Sequence, residues 1–565
     1  MVYGRRASNG FAAAALATLW LCSSAAVAQE ARLGLPRGGS PLTEAAPRAL
    51  PPSWMAGVAA KSKSAEPDIG PYPRPLPDAA LPSPFSADER ERIFPIDLAT
   101  ALRLTGTNNW DIARGREVVT QASIALDRAR LLLVPNLNMG STYTKHDGRI
   151  AKTEGNIIKA NKDAIFVGGG PSLSVNFADA IFVPLVARQT TAASRAGFGR
   201  VQNDTLLLVA ESYFAVLRAR RKLARVDATL EFLTSESPSP ARAGSKGLLP
   251  VVDAMQKAGA AEALKAEVYR AQVETIRRQE ERRAIVQEFR LAMAELARLL
   301  RLPPDAVLWP VDDFRFPLDL PNLYDSPNED LFQLALSYRP EMAENRALIE
   351  AARERVRTAK FRPLLPNFIV NYAWGDFGGG PDPNTVRVNG RDTTVAGFGP
   401  SGRVLHMGTR DDLDVSLIWR LQNMGFGNLA EVREQESLFR QANLRLFQIQ
   451  DQIVTQIVQT KELAQGWGDR VAITRSALFD REGKPKGPVF EALRLNFQRI
   501  REVEKTRPLE VLDSIRGLSD LLDAYGQAAT DYDRARFRLL IALGLPPEEI
   551  VRRVAYPPTS VPPAK

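Results

Sequence analysis

Pro135-Asn136-Leu137-Asn138-Met139-Gly140 and Pro366-Asn367-Phe368-Ile369-Val370-Asn371 decide how this chain is read. Each follows a long helical run and opens a change of period. Before the first, Ile112, Val119, Ala122, Leu126, Ala129 and Leu133 fall on one helical face. After Pro135 the period drops to two: Leu137, Met139 and Tyr143 alternate with Asn136, Asn138, Thr142 and Thr144. In the second copy Met342, Ile349, Ala352, Val356 and Ala359 repeat the helical spacing. Phe368, Val370, Tyr372 and Trp374 then alternate with Asn367, Ile369, Asn371 and Ala373. Return strands follow in both copies. Leu173, Val175 and Phe177 alternate with Ser174 and Asn176, and Leu413, Val415, Leu417 and Trp419 with Asp414, Ser416 and Arg420. One apolar, aromatic-rich face and one polar face over about ten residues is what a membrane-spanning strand needs.

Working outward, the same plan is expected twice, and internal repeats outrank other signals. The first copy has a helix over 96–134, broken near 106–109, a strand over 135–145, a polar loop over 146–170 and a return strand over 171–181. Pro184 suits the first turn of the next helix. That helix runs to Leu233, with Leu206, Val209, Tyr213, Val216, Leu223, Val226 and Leu230 on its seam. About 50 residues at ~1.5 Å each give a rod of roughly 75 Å. A turn over 235–250 leads to a returning helix over 251–302. The second copy has a helix over 329–362, a strand over 366–375, a Gly-rich loop over 377–411 and a return strand over 412–421. Helical runs over 428–478, 490–504 and 509–543 complete it, interrupted at 480–487 and turning at 505–508. The predicted organisation is a signal peptide 1–28, a Pro-rich disordered segment 29–93, a first repeat 94–302, a linker 303–328, a second repeat 329–545 and a tail 546–565.

The start of the chain has the features of a secretory signal: Arg5-Arg6, an apolar run from Phe11 to Leu21, and Ala26-Val27-Ala28 as cleavage site. Cys22, the only cysteine, follows bulky Leu21, a poor lipidation box; cleavage at Ala28 would leave no cysteine. The net charge of +9 comes from mixed Arg and Glu along helical runs, which reads as a solvated face and not a nucleic-acid surface.

Four strands cannot close a barrel, and lipid tolerates no open sheet edge. Several copies must pool strands: a dimer gives the minimum of eight, a trimer twelve. The charged rods must project into water. A water-filled conduit is the simplest function of that shape.

At this point the residues resemble the TolC-like outer-membrane efflux and secretion channels. The resemblance covers about residues 96–545. It rests on the twofold plan, the helix-Pro-Asn-strand junctions and two tip motifs, Gly247-Leu248-Leu249-Pro250-Val251-Val252-Asp253-Ala254 and Thr506-Arg507-Pro508-Leu509-Glu510-Val511-Leu512-Asp513-Ser514. It implies a mainly α chain with a membrane β part, assembled as a homotrimer with a 12-stranded β-barrel joined to a long α-barrel. It implies an outer-membrane location with a periplasmic helical extension. The implied partners are a periplasmic adaptor (a membrane fusion protein), an inner-membrane RND or ABC transporter, and outer-membrane lipid. The function would be a passive conduit for efflux or type I secretion.

The resemblance makes Glu510 and Asp513 gate candidates, as acidic rings at the periplasmic aperture, with Arg507 in the ties that close it. Threefold symmetry would gather six carboxylates there, favouring cations. The other reading is two acids offsetting a helix dipole. Gly247, Leu248, Pro250, Asp253, Thr506 and Pro508 are adaptor-contact candidates at the tips. Tyr143, Tyr372, Trp374 and Trp419 suit an aromatic belt at a membrane interface. No cofactor or metal is expected: His146 and His406 are the only histidines, both in predicted loops. Gly168-Gly169-Gly170-Pro171 and Gly378-Gly379-Gly380-Pro381 lack a phosphate-loop ending and are expected to turn the chain. No nucleophile-base-acid set points to an enzyme. A periplasmic adaptor, or a coiled-coil scaffold of a secretion complex, is the alternative function. No pocket for cargo is legible.

Overall fold

The computed structural model describes residues 93–151, 155, 157–257, 263–312, 316–379, 385–388, 391–394, 407–480, 485–502, 508–545, 549–550 and 552. All belong to the compact unit Pro67–Lys565. The expected signal peptide with Cys22, the Pro-rich segment up to 92, His406 and most of the tail lie outside the described residues.

The described residues open with a short strand, β1 (Ile93–Ile96), then α1 (Leu98–Asn108) and α2 (Trp110–Arg130). The expected break falls at Asn109. Its side-chain oxygen accepts from Asp111 N at 2.7 Å, capping α2, and its amide donates to Leu299 O at 3.1 Å. The corresponding helix of the second half is also broken, into α6 (Asn328–Tyr338) and α7 (Pro340–Phe361), where one helix was expected. Pro340 explains it: the ring drives Arg339 into an extended conformation, φ −63° and ψ 126°.

Strands β2 (Asn136–Ala151) and β3 (Ile157–Asn176) pair antiparallel over the whole length of β2. The loop expected over 146–170 is therefore largely strand, and His146 lies opposite Lys162 within the ladder. Polar residues there give no period to read, yet the ladder is satisfied by backbone alone. Gly168, Gly169 and Gly170 do not turn the chain; they lie inside β3. A Cβ at Gly168 would sit 2.4 Å from Trp374 O, and one at Gly170 only 1.9 Å from Tyr372 O, so strands approach where side chains are missing. The return strand ends at Asn176, short of the expected 181. The Asn176 side chain accepts from Ala178 N at 2.8 Å and caps a helix beginning at Phe177. Pro184 is accordingly inside that helix and not at its first turn.

That helix is α3 (Phe177–Thr234), 58 residues or roughly 87 Å at ~1.5 Å each. Leu206, Val209, Tyr213, Val216, Leu223, Val226 and Leu233 are all buried along it. Each contributes about 1.5–3 kcal/mol by burial. α4 (Leu248–Lys257) and α5 (Ala263–Leu300) follow. The second half continues with β5 (Asn367–Gly378), the small hairpin β6 (Thr385–Val388) and β7 (Arg391–Thr394), β8 (Gly408–Ile418), α8 (Phe426–Leu478), α9 (Pro488–Glu502) and α10 (Pro508–Ala542). Gly544, at φ +70°, stops α10 where a side chain would meet the Arg339 backbone.

The linker expected to be plain carries β4 (Val307–Pro310), which pairs in parallel with β1. Asp312 anchors this pair. It accepts from the Tyr213 hydroxyl at 2.5 Å and from Leu98 N at 3.1 Å. Burial pushes both the Tyr213 and Asp312 values up. Further on, buried Asp533 accepts from Arg221 at 3.3 Å, from Arg536 at 3.1 Å and from Leu318 N at 2.9 Å, pinning the linker against α3 and α10.

The main sheet has the order β2-β3-β5-β8, antiparallel throughout. Its register makes the two faces continuous. Val370 lies opposite both Leu173 and Val415, and Phe368 opposite both Val175 and Leu417. The polar face carries Asn138, Ser172, Asn371 and Asp414. The sheet is open: one copy contains no closed barrel, and β2 and β8 have no further strand partner among the described residues. Among the described residues, no helix is long and apolar enough to cross a membrane.

Candidate functional site: the paired tips and the two sheet faces

Both tip motifs fall at helix ends, and one hydrophobic cluster joins them. Leu233, Leu248 and Val252 from the first half pack with Leu493, Phe497, Val511, Leu512 and Ile515 from the second. Gly247 is buried, its N–H donating to Ser235 O at 2.7 Å. A Cβ there would lie 2.8 Å from Ser235 N, so the turn accepts only glycine without rearrangement. Leu248 is 1% exposed, Pro250 half-buried, and Asp253 faces Lys257 at 3.5 Å on the solvent side. Pro508 is buried at the start of α10. Thr506 and Arg507 lie outside the described residues.

The organiser of the first tip was not legible in the sequence. Arg242 is 1% exposed within the Ser- and Pro-rich turn. Its guanidinium donates to Ser237 O at 2.6 Å, Glu231 O at 3.2 Å, Ser245 O at 3.3 Å and Ser235 Oγ at 3.2 Å. It also sits 5.8 Å from the Phe232 ring centroid. Ala243, next to it, is held at φ +51°. A lone arginine among Ser and Pro reads as solvated, and only the carbonyls converging on it in three dimensions reveal its role.

Glu510 and Asp513 share the exposed side of α10, while Val511 and Leu512 between them are buried. Glu510 pairs with Arg499 at 3.4 Å. One copy does not bring the two acids into a ring. A second tie was also missed. Glu274 on α5 is 2% exposed and accepts from Arg278 at 3.0 Å and from Arg516 on α10 at 2.8 Å. Burial alone would raise its carboxyl. The two guanidiniums outweigh that and hold it below the usual glutamate value. Arg278 continues to Glu281 at 2.8 Å, and Glu281 to Arg225 on α3. This ladder fastens the first half to the second just behind the tips.

Tyr143, Tyr372 and Trp374 project from the apolar sheet face, opposite Ile165, Leu413 and Gly169 respectively. Trp419 follows β8 directly, and Trp374 and Trp419 are 60% and 59% exposed. Counting from the register, Trp374 and Trp419 stand eight residues apart along the strands, roughly 27 Å at ~3.4 Å each. Among the described residues no group of three His, Cys, Asp or Glu is placed to hold a metal ion.

No family model and no curated protein matches the sequence. Solved structures do resemble it. A membrane protein from Pseudomonas aeruginosa superposes with TM-score 0.59 at 17% identity, over 84% of this chain and 99% of that one. The outer membrane protein VceC from Vibrio cholerae gives 0.58 at 15%, over 79% and 96%. The MtrE outer membrane channel of Neisseria gonorrhoeae, in its open state, gives 0.55 at 14%, over 79% and 88%. The fold is that of the TolC-like outer-membrane channels.

Proposed function

We propose that this chain is an outer-membrane channel that passively conducts substrates delivered from the inner membrane. The observation that carries the reading is the four-stranded sheet. Its apolar face continues from strand to strand, exposed at Met139, Trp374, Val415 and Leu417 and buried at Leu173 and Val175; among the described residues both its edges are unpaired, and it runs directly into helices too polar to enter lipid. Three copies pooling strands make a closed 12-stranded barrel with lipid outside and polar side chains lining water. Trp374 and Trp419 then mark the two aromatic girdles of an apolar band about 25 Å tall. The helices extend the conduit into the periplasm, and the two halves, 94–302 and 329–545, are copies of one plan joined by the linker 303–328. The tips, with Gly247, Leu248, Pro250, Asp253, Thr506 and Pro508, meet a periplasmic adaptor, which couples the channel to an inner-membrane RND or ABC transporter in efflux or type I secretion. Glu510 and Asp513, with Arg507, line the gate. No catalytic step belongs to this reading.

Membrane fractionation tests it. The full chain partitions with the outer membrane and runs as a trimer in mild detergent; a soluble monomer overturns the proposal. In planar bilayers the purified trimer conducts. Glu510→Gln with Asp513→Asn lowers its cation selectivity, and unchanged selectivity removes those residues from the gate.

A further inference from the structure

The three helices α2, α3 and α7 line an open hollow of about 550 Å³ that the sequence did not announce. Its volume is that of sites for drug-sized molecules, which run from about 300 to 1,000 Å³. Small residues make the space. Gly115 gives way to the Phe198 ring, which lies 2.9 Å from where a Cβ would stand. Gly197 does the same for the Glu344 carboxylate, at 3.3 Å. Ala193 and Ser194 leave the wall between them low.

The charges of this hollow do not balance. Arg200 is shared by two carboxylates, Asp204 at 3.6 Å and Glu344 at 3.4 Å. Asp111 and Arg114 add one charge of each sign, leaving one net negative charge among the lining groups, and Arg298 acts on Asp111 from outside the lining. Outside the lining, Glu341 and Arg339 act on Asp204 with opposite signs. Burial lifts the Asp204 carboxyl above its usual value; Arg200 opposes this and Glu341 adds to it. The remaining wall is Val118, Val201, Leu208, Leu348 and Phe198, together with Thr190, Ser194 and Thr205, whose hydroxyls donate back to carbonyls of their own helix.

We propose that this hollow is a binding site for a bulky lipophilic organic cation. A carboxylate pair sharing one guanidinium accepts a second positive charge. The Phe198 ring and the aliphatic side chains take up the hydrocarbon body. The volume and these apolar side chains exceed what an inorganic ion needs, and the excess carboxylate repels an anion. The site lies on helices, and its test does not pass through the channel reading.

The probe is tetraphenylphosphonium, measured by equilibrium dialysis against the full chain in mild detergent. Saturable binding is expected. Asp204→Asn weakens it roughly tenfold, about 1.4 kcal/mol. Triphenylphosphine oxide, neutral and of similar shape, binds at least tenfold more weakly than the cation. Ser194→Trp fills the hollow and abolishes binding, with circular dichroism and the assembly state checking that it folds. Should it not fold, Asp204→Asn and the neutral probe still decide. Absence of saturable binding, or equal affinity of the Asp204→Asn variant or of the neutral probe, overturns the proposal.

Discussion

The sheet and the tips of this molecule treat their polar and apolar surfaces in opposite ways. At the tips, one copy completes its own structure: Leu248, Phe497 and Leu512 bury one another, Arg242 collects its carbonyls, and Glu274 joins the halves by ion pairs. In the sheet, the same copy leaves Leu413, Val415 and Leu417 more than half exposed and, among the described residues, two strand edges unpaired. Surface that would be a liability in water is a fit surface for lipid, provided other copies supply the missing edges. The tip is a finished part, and the sheet is a fragment of one.

Three substitutions break or sharpen that contrast. The largest effect is expected at Arg242→Ala. It removes the donor of three carbonyls and one hydroxyl and should destabilise the tip by about 3–5 kcal/mol, the equivalent of about two hydrogen bonds from a charged group at about 1.5–3 kcal/mol each. Protease sensitivity confined to the turn around residues 235–247, with the trimer intact, is the expected readout; cleavage equal to wild type would deny Arg242 its role. Next is Val415→Arg, on the apolar face. At the bilayer midplane a positive charge costs about 2–4 kcal/mol per copy. Detergent-resistant trimer should fall while the tip keeps wild-type protease resistance.

The smallest of the three is Glu274→Gln, at about 1–2 kcal/mol, discounted because Arg516 is partly exposed. Its sign follows from the lowered carboxyl value. A group depressed in the folded state stabilises above its unfolded value, near 4.3, and that contribution fades as pH falls through the folded value. Acid denaturation monitored between pH 6 and 3 (roughly the carboxylate range) should therefore lose part of its slope in the variant. An unchanged acid limb would show that the ladder carries no stability.

Much of this architecture was legible because period reports burial. The alternation after Pro135 and Pro366 located the strands and their apolar face, and Asn109 and Gly544 ended helices where their chemistry says they should. What stayed hidden lacks a local period. The outer part of β2 and β3 mixes charged and polar residues with isoleucines and alanines in no regular alternation, so backbone pairing is what reveals it. The β1–β4 pair joins residues more than 200 positions apart. Pro184, a helix-start signal, was displaced because Asn176 caps first. Of the sites, the tip glycine and prolines could be placed by motif. Arg242, Glu274 and the hollow beside Phe198 depend on which helices become neighbours, and no spacing along the chain encodes that.

The bare margins of β2 and β8 also impose a schedule. On the proposed assembly, each copy shows, between export and pairing, two rows of backbone donors and acceptors that no described strand answers, a template that any extended segment can join. Dilution lengthens that interval and crowding raises the chance of a wrong partner. Synthesis rate and escort during transit therefore matter to this chain as much as the stability of its finished form.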